Sequence, residues 1–399
     1  MRLHRFAIAM LAAAGISGFA MAQSKEVKIA HIIDKTGPLE IFATASNIGM
    51  MLGLEYATGG TMEVAGKKIN VIVKDGQFKP DVGKSLLQAA YTDDKVDIAV
   101  GPTFSATALA MIPVARENRR LLIIDSAAAE NLTSSKGSRY VFRTGRNSDQ
   151  DGYSNATVLA RPGYFVATLA PDYAFGREGV QSFRDAMKKA GGNLVHEEYA
   201  PLGTTDFTAQ AQRIFNALKD KPGRKIVWYI WAGPGNPLKL LDQDPGRYGI
   251  EVISGGGTVL ALMPGAKPLI GGAEAATGYY FQCPKNAAND WLIKEHQKRY
   301  NSPPDFFTAQ GMNTGIAIVE ALKKTKGNTD TEVMIKAMEG LAFDGPKGRV
   351  FFNKDNHQLM QPAYKFRYKA DPEIKGGVGL ECLGEVKIED MPIPVTKVR

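Results

Sequence analysis

Short apolar runs alternate with longer amphipathic stretches along most of the chain. Val27–Ile33 and Lys68–Asp75 are rich in β-branched residues and are bounded by turn residues, which predicts two strands. Asn47–Ala57 and Pro80–Tyr91 carry apolar residues at helical spacing, and in the first of these helices we expect Met51 on the buried face. This rhythm predicts a mainly parallel sheet with helices on both faces.

The same alternation of strands and helices occurs again in the middle of the chain, after the pattern is interrupted near residues 140–152. The second unit is predicted to contain strands Tyr164–Leu169, Asn193–Tyr199, Lys225–Ile230 and Glu251–Ser254, with helices at Gly179–Ala190 and after Asp206. The rest is predicted to form a strand at Gly278–Gln282, helices Trp291–Tyr300, Gly311–Lys324 and Thr331–Leu341, and strands within Phe343–Phe352 and Ala363–Tyr368. Two similar αβ lobes joined by three crossings would explain why helices continue after the second sheet is complete.

The stretch Val96–Ala110 combines a buried strand, a tight turn and a helix start. Its strand ends at Gly101-Pro102, and Ser105 or Thr107 can then cap the following helix. Backbone N–H groups and the positive end of the helix dipole meet at this point, so the turn is suited to binding an anion. The alternative is an ordinary βα turn with no ligand.

The first residues are typical of a secretory signal peptide. A basic segment, Arg2 to Arg5, precedes a short apolar run and the small-x-small pattern Ala20-Met21-Ala22. We predict cleavage between Ala22 and Gln23, and a mature protein in the periplasm. No later stretch of the sequence has the length of apolar residues that a membrane span needs.

Composition and charge exclude several classes of protein. Hydrophobic residues make up 44% and charged residues 23%, which are ordinary globular values. The formal net charge of +8 is spread over short clusters without a basic stripe, so nucleic-acid binding is not expected. The 2 cysteines, Cys283 and Cys382, either form one disulfide in an oxidising compartment or stay as buried thiols.

The sequence lacks the common catalytic motifs. The histidines have no metal-ligand spacing, and neither a Gly-x-Ser-x-Gly elbow nor a Walker-type loop occurs. We therefore expect no enzyme activity, no cofactor and no metal.

Five motifs in order give the chain a family resemblance. VKIAHIIDKTGP, VDIAVGPTFSA, LLIIDSAAAENLT, VFRTG and FDGPKGRVFF resemble the periplasmic Leu/Ile/Val-binding proteins, the solute-binding subunits of branched-chain amino-acid ABC transporters. The resemblance implies the type I periplasmic-binding fold, an α/β fold of two Rossmann-like lobes with parallel sheets and three hinge crossings. We place the crossings at Arg143–Asp149, Phe281–Lys285 and Asp355–Gln361. The resulting division is residues 1–22 for the signal peptide, 23–145 with 283–356 for lobe 1, and 146–282 with 357–399 for lobe 2.

The resemblance also implies a ligand-binding set. Ser105 matches the serine that holds the ligand carboxylate, and Ser126 is the hydroxyl nearest to a threonine of the family pattern that is missing here. The full set is Phe42, Thr103, Phe104, Ser105, Ser126, Ala127, Ala128, Tyr173, Phe175 and Trp231. A glutamate follows the strand at Glu251–Ser254 in the family, where it holds the ligand ammonium group. This chain has Gly255-Gly256-Gly257-Thr258 there, so Asp125 or Asp172 would have to supply the charge.

Two ligand classes and two roles therefore stay open. The first prediction is capture of a branched-chain or hydrophobic amino acid by lobe closure, and delivery to the permease and ATPase subunits by a monomer. The alternatives are an aromatic or keto carboxylate as ligand, or a periplasmic sensor with the same fold.

Overall fold

The structure is a computed structural model that describes residues 25–255 and 258–398. The predicted signal peptide lies outside these residues. The strands are β1 Glu26–Ile33, β2 Glu63–Val64, β3 Lys67–Asp75, β4 Ile98–Val100, β5 Leu121–Ile124, β6 Val141–Arg143, β7 Tyr164–Pro171, β8 Asn193–Ala200, β9 Arg224–Tyr229, β10 Ile250–Ser254, β11 Ala275–Thr277, β12 Ala342–Gly345, β13 Gly348–Phe352, β14 Leu359–Met360, β15 Ala363–Ala370 and β16 Val378–Val386. The α-helices are α1 Glu40–Ala57, α2 Pro80–Thr92, α3 Ser105–Asn118, α4 Ser148–Leu159, α5 Ala174–Lys189, α6 Thr208–Leu218, α7 Ala287–Tyr300, α8 Phe306–Lys324 and α9 Thr331–Met338. Short 3-10 helices occupy Glu130–Thr133, Pro237–Gln243, Pro245–Tyr248, Leu260–Leu269 and Ile388–Asp390.

Each lobe is built on one sheet whose long strands are parallel. The first sheet has the order β2-β3-β1-β4-β5-β6, and the second has the order β10-β9-β7-β8. Within the first sheet the short β2 pairs antiparallel with β3. An antiparallel hairpin sheet, β12-β13-β14, packs into the first lobe, and the antiparallel sheet β11-β15-β16 packs into the second. The predicted α/β class with two parallel sheets is confirmed.

The chain passes between the lobes three times. The passages lie between β6 and α4, between β11 and α7, and between β14 and β15. Arg143, the last residue of β6, links the chain before the first passage to the segment that leads into β14: its N–H donates to the His357 carbonyl at 3.0 Å, and its Nε donates to Gln358 Oε1 at 2.5 Å. The structure thus has three passages, as the predicted fold class requires, but the third follows Met360 and therefore lies later than most of the predicted range Asp355–Gln361.

Helices α1 and α8 approach closely because glycines line their contact. A Cβ atom on Gly49 would lie 2.0 Å from the Thr308 carbonyl oxygen, and one on Gly53 would lie 2.3 Å from that of Met312. This contact sets the buried face of α1, and Met51 is 36% exposed. The prediction that Met51 points inward is therefore wrong.

Three further local predictions differ from the structure. Gly278–Gln282 contains no strand, since the strand there is Ala275–Thr277. Ser105 is the first residue of α3 rather than its cap, because Phe104 occupies that position and makes no side-chain capping bond. Helix α4 lies in a segment for which the sequence predicts no helix.

Cys283 and Cys382 form a disulfide with a Cα–Cα distance of 5.6 Å. The bond joins the second passage between the lobes to β16. Of the two alternatives left open by the sequence, the structure therefore has the disulfide. No helix in the described ranges is long and apolar enough to cross a membrane.

Candidate functional site

The loop between β4 and α3 is held in place by one buried carboxylate. Asp34 follows β1 and accepts hydrogen bonds from the Phe104 N–H at 2.9 Å and the Phe78 N–H at 3.0 Å. Burial raises the pKa of Asp34, although these donors act in the opposite direction. Gly101 opens the loop with a φ of +114°, a backbone conformation that favours glycine, and a Cβ there would lie 1.9 Å from the Ile32 carbonyl oxygen.

The carboxyl ends of the first sheet's strands face the second lobe across a small cavity. This inner cavity is lined by Leu39, Phe42, Thr103, Ser105, Ser126, Ala128, Arg146, Tyr173, Phe175, Ala232 and Phe307. Its volume of about 20 Å³ is room for little more than one water molecule. Larger solutes therefore need the lobes or the lining side chains to move.

The structure brings most of the predicted site residues to this cavity and leaves three outside it. Those that line it are Phe42, Thr103, Ser105, Ser126, Ala128, Tyr173 and Phe175. Phe104 lies behind them, with its ring centroid 4.0 Å from Phe78 and 5.4 Å from Tyr173. Ala127 packs in the core of the first lobe, and Trp231 lines a neighbouring cleft.

Three hydroxyls of the first lobe have unused hydrogen-bonding capacity at the cavity. Ser105 Oγ accepts the Ala129 N–H at 3.3 Å, which leaves its own hydrogen available for donation. Thr103 Oγ1 and Ser126 Oγ are buried and have no hydrogen-bond partner among the described residues. Buried polar groups of this kind are usually satisfied, so the cavity is suited to a ligand that accepts hydrogen bonds.

Arg146 is a site residue that the sequence reasoning missed. Among the described residues that line the inner cavity, it is the only one with a charged side chain. Its side chain is 6% exposed, and its Nε lies 3.2 Å from Asp151 Oδ2. The available signal was its position in the predicted crossing Arg143–Asp149, where a charged residue has little access to water.

Aromatic rings surround the Arg146 guanidinium. Its Cζ lies 5.1 Å from the ring centroid of Phe306, 5.8 Å from that of Phe175 and 5.9 Å from that of Phe307. These ring faces stabilise a buried cation and exclude water from it. The Arg146 guanidinium is therefore held in a fixed position at the cavity, in surroundings of low dielectric constant.

Two further buried titratable groups, the Asp151 carboxyl and the Lys347 amine, lie behind Arg146. Burial raises the pKa of Asp151, and the charges of Arg146 and Lys347 oppose that shift. Lys347 Nζ donates to Gln361 Oε1 at 2.8 Å, and burial lowers the pKa of the amine to about 7. The three side chains connect the cavity to the third passage between the lobes.

The acids that the sequence offered as partners for an ammonium group lie elsewhere. Asp125 Oδ2 accepts from Ser46 Oγ at 2.5 Å and contacts His31 Nε2 at 3.0 Å, inside the first lobe. Asp172 pairs with Arg177 at 2.5 Å on the surface. Neither carboxylate lines the inner cavity, so the prediction that one of them faces the ligand is not supported.

A larger cleft adjoins the inner cavity and shares Phe42 and Ala232 with it. Its volume is about 510 Å³, and both lobes contribute to its walls. Its lining includes Ile41, Tyr229, Trp231, Ser254, Thr258, Val259, Leu262, Met263 and Tyr368. We call it the adjoining cleft. Trp231 Nε1 donates to the Pro234 carbonyl at 3.3 Å, so this donor is already used.

A separate groove of about 680 Å³ lies between α1, the end of α7 and residues 373–375. Its lining includes none of the predicted site residues. Within residues 25–255 and 258–398, no group of three or more histidine, cysteine or acidic side chains is placed to hold a metal ion. The inner cavity and the adjoining cleft are therefore the candidate ligand site.

Comparisons with known proteins agree with this arrangement. Residues 26–373 match the family model described as periplasmic binding protein. A Leu/Ile/Val-binding protein homolog of Brucella abortus is 24% identical over 374 residues, which cover 91% of this chain and 92% of that protein.

Solved structures extend the comparison. A crystal structure of an ABC-type branched-chain amino acid transporter from Rhodopseudomonas palustris has 53% identity and a TM-score of 0.84, covering 94% of this chain and 100% of that one. A solute-binding protein of an ABC transporter from Rhodopseudomonas palustris, solved in complex with 3,4-dihydroxybenzoic acid, has 25% identity and a TM-score of 0.79, covering 92% and 99%. The chain belongs to the periplasmic binding protein family, as an ABC-type solute-binding protein of the branched-chain amino-acid transporter group.

Proposed function

We propose that the protein binds a small monocarboxylate without an ammonium group, an aromatic or keto acid, for uptake by an ABC transporter. The observation that carries this proposal is the buried Arg146 side chain, the one charged group among the described residues lining the inner cavity. A buried cation favours an anionic ligand, whereas a buried ammonium group without an acid would be costly.

In the proposed complex the ligand carboxylate contacts both Arg146 and the first lobe. Ser105 donates its free hydrogen, and Thr103 and Ser126 supply the two buried hydroxyls without partners. Ala128 forms part of the wall beside them. Tyr173 and Phe175 contribute from the second lobe, and the Tyr173 hydroxyl is fixed by the Ala232 carbonyl at 3.1 Å.

The apolar body of the ligand is held by aromatic side chains. Phe42 and Phe307 stack with a centroid distance of 4.8 Å at the cavity wall. Trp231 extends the aromatic surface into the adjoining cleft. Phe104 and Ala127 make no direct contact with the ligand in this complex, because their side chains pack elsewhere.

The division into lobes at 23–145 with 283–356 and 146–282 with 357–399 is part of the proposal, with residues 357–360 moved to the first lobe because β14 pairs with β13. The passages after Arg143 and after Met360 would act as hinges, and ligand contacts on both lobes would favour the closed state. A smaller radius of gyration in solution scattering at saturating ligand is the expected sign of closure.

The role in the cell follows from the family. We infer an exported monomer, cleaved between Ala22 and Gln23, that delivers its ligand to the permease and ATPase subunits without chemical change. A sensor with the same fold would bind the same ligand but would not support uptake. Deletion of the gene separates the two, because loss of uptake of the labelled acid is expected only for a transport protein.

Calorimetric titration of a matched series tests the ligand class. Phenylpyruvate, 3-phenylpropanoate and phenylalanine differ only at the carbon next to the carboxylate. We expect the first two to bind and phenylalanine to bind at least tenfold more weakly, with leucine also weak. Tighter binding of phenylalanine or leucine than of their ammonium-free analogues would overturn the proposal.

A double variant tests the role of Arg146. Arg146→Gln with Asp151→Asn replaces the buried ion pair by two amides of similar shape, so that no unpaired charge is left inside. Loss of a buried charge contact of about 2–5 kcal/mol predicts at least a thirtyfold loss of affinity for the acid. Arg177→Gln with Asp172→Asn removes an exposed ion pair and serves as the matched control.

A hydrophobic amino acid is the second candidate. It is supported by the 53% identical structure, which is described as a branched-chain amino acid transporter, and by the Leu/Ile/Val-binding homolog. Tighter binding of leucine than of the ammonium-free acids by the wild type in the same titration would establish it.

A further inference from the structure

The inner cavity and the adjoining cleft differ greatly in size. The cavity holds about 20 Å³ and the cleft about 510 Å³, and Phe42 and Ala232 belong to both. The cavity as described cannot hold the body of an organic acid, and even its carboxylate requires movement of the lobes or of the lining side chains. The rest of a ligand anchored on Arg146 therefore extends past Phe42 into the cleft.

Three hydroxyl groups meet on the wall of the cleft. Ser254 lies at the end of β10, Tyr229 at the end of the neighbouring β9, and Tyr368 on β15. The Ser254 side chain interacts with the hydroxyls of both Tyr229 and Tyr368. All three residues line the cleft.

These hydroxyls keep unused hydrogen-bonding capacity. Links through Ser254 use at most two of the three hydroxyl hydrogens, so at least one O–H remains to donate, and several lone pairs remain to accept. Burial raises the pKa of Tyr229 to about 12 and also raises the pKa of Tyr368, so both phenols stay protonated at neutral pH.

The surroundings of the cluster carry no charge. None of the described residues that line the cleft has an ionisable acid, lysine, arginine or histidine side chain. Apolar and aromatic residues such as Trp231, Val259 and Met263 line the same cleft. A charged ligand group would lose its hydration here without a counter-charge, whereas a neutral group that donates and accepts hydrogen bonds would be satisfied.

We propose that Tyr229, Ser254 and Tyr368 form a second subsite that binds a neutral hydroxyl at the end of the ligand remote from its carboxylate. This inference rests on the proposed function, because the carboxylate on Arg146 sets the direction of the ligand. It narrows the ligand class to aromatic acids with a hydroxyl on the ring, such as hydroxyaryl carboxylates and hydroxyaryl propanoates.

Matched pairs of acids test the subsite by calorimetry at pH 7. The pairs are benzoate with 4-hydroxybenzoate, and 3-phenylpropanoate with 3-(4-hydroxyphenyl)propanoate. In the wild type we expect the ring hydroxyl to tighten binding about two- to tenfold in at least one pair, as a neutral hydrogen bond does. In Tyr229→Phe and in Ser254→Ala the ratio within that pair should fall to nearly one.

Tyr199→Phe is the matched control, since its hydroxyl contacts Glu197 outside the cleft at 3.3 Å. This variant should keep the wild-type ratio. Equal binding within both pairs in the wild type, or a ratio that persists in Tyr229→Phe and Ser254→Ala, would overturn the subsite and leave the proposed function standing. Failure of all four acids to bind would remove the proposed function and the subsite with it.

Discussion

Arg146 and Asp151 form an ion pair with 3.2 Å between Nε and Oδ2, and each side chain is only 6% exposed. Arg146 faces the inner cavity, where no other described lining residue is charged, and Asp151 belongs to α4, whose first two turns are buried. Asp151 thus compensates the arginine in the absence of ligand, and a bound carboxylate would compete with it for the same guanidinium.

Replacing Asp151 by asparagine should lower the stability of the unliganded protein and increase the stabilisation that the ligand provides. Asp151→Asn leaves the Arg146 charge buried without its partner, which is expected to lower the free energy of unfolding by about 3–5 kcal/mol. The ligand carboxylate then supplies the missing charge, so the rise in Tm on adding the acid should be larger than in the wild type. Differential scanning calorimetry with and without ligand measures both effects. A wild-type Tm in the unliganded variant would contradict the argument, and Asp172→Asn controls for the loss of an exposed carboxylate.

Lys347 should make stability depend on pH above neutrality. Its pKa is lowered to about 7 by burial, while in the unfolded chain it has an ordinary lysine value. The unfolded state therefore binds more protons between about pH 7 and 10.5, and stability contributed by this group rises with pH across that window. Below pH 7 the cost of its burial is fully present.

The expected slope is up to about 1.4 kcal/mol per pH unit, and Lys347→Gln should remove it. Urea unfolding at pH 7.5, 8.5 and 9.5 gives the slope for each protein. The exposed Lys375→Gln is the control and should keep the wild-type slope. Parallel curves for Lys347→Gln and the wild type would exclude a buried lysine with a lowered pKa.

Ser105→Ala should weaken binding of the acid without unfolding the protein. The variant removes a hydrogen bond to a charged group of about 1.5–3 kcal/mol, or roughly ten- to a hundredfold in Kd. It also removes the acceptor of the Ala129 N–H, so a small loss in Tm is expected. Calorimetric titration measures the affinity, and Ser182→Ala, whose hydroxyl contacts Asp149 away from the cavity, serves as the control. Unchanged affinity would remove Ser105 from the site.

The glycine contact between α1 and α8 should not tolerate a methyl group. A Cβ atom on Gly53 would meet the Met312 backbone at 2.3 Å, so Gly53→Ala is expected to cost at least about 1–3 kcal/mol. Gly246→Ala is the matched control, because its Cβ would lie 3.6 Å from its nearest neighbour. Its effect should stay within about 0.5 kcal/mol. Urea unfolding of both variants decides the point, and equal midpoints would argue against close helix packing.

The Cys283–Cys382 disulfide closes a loop with a sequence separation of 99 residues. By the chain-entropy model such a loop stabilises by up to about 4.7 kcal/mol. Cys283→Ser with Cys382→Ser should therefore lower the midpoint of urea unfolding, and reductant should lower the wild-type midpoint but not that of the variant. Two free thiols in the unfolded, unreduced protein would rule the bond out.

The sequence predicts elements well where one face of each element is apolar. The strands Val27–Ile33 and Lys68–Asp75 agree with β1 and β3 to within one residue. Helix α4 escaped prediction because most of its buried residues are polar: Ser148, Asp149, Gln150 and Asp151 face protein rather than water. A helix buried by hydrogen bonding and ion pairing has no amphipathic pattern to reveal it.

The sequence predicts those site residues whose positions depend on local sequence. It does not predict those whose positions depend on tertiary contacts. Thr103 and Ser105 follow a strand end whose location the βα pattern determines. Trp231 follows another strand end, but the pattern does not determine which of two neighbouring spaces its ring enters. Arg146 depends on Asp151 and on three phenylalanines distant in sequence, so no local pattern marks its role.

The position of Arg146 in a passage between the lobes has a mechanical consequence. A point near the axis of a rotation travels the shortest distance, so the charged end of the ligand would stay nearly stationary while the lobes swing. The free end of the ligand would then lie between the two lobes, and the length of the ligand would set the angle at which closure stops. A series of acids of increasing length should therefore produce graded closing angles rather than a single one.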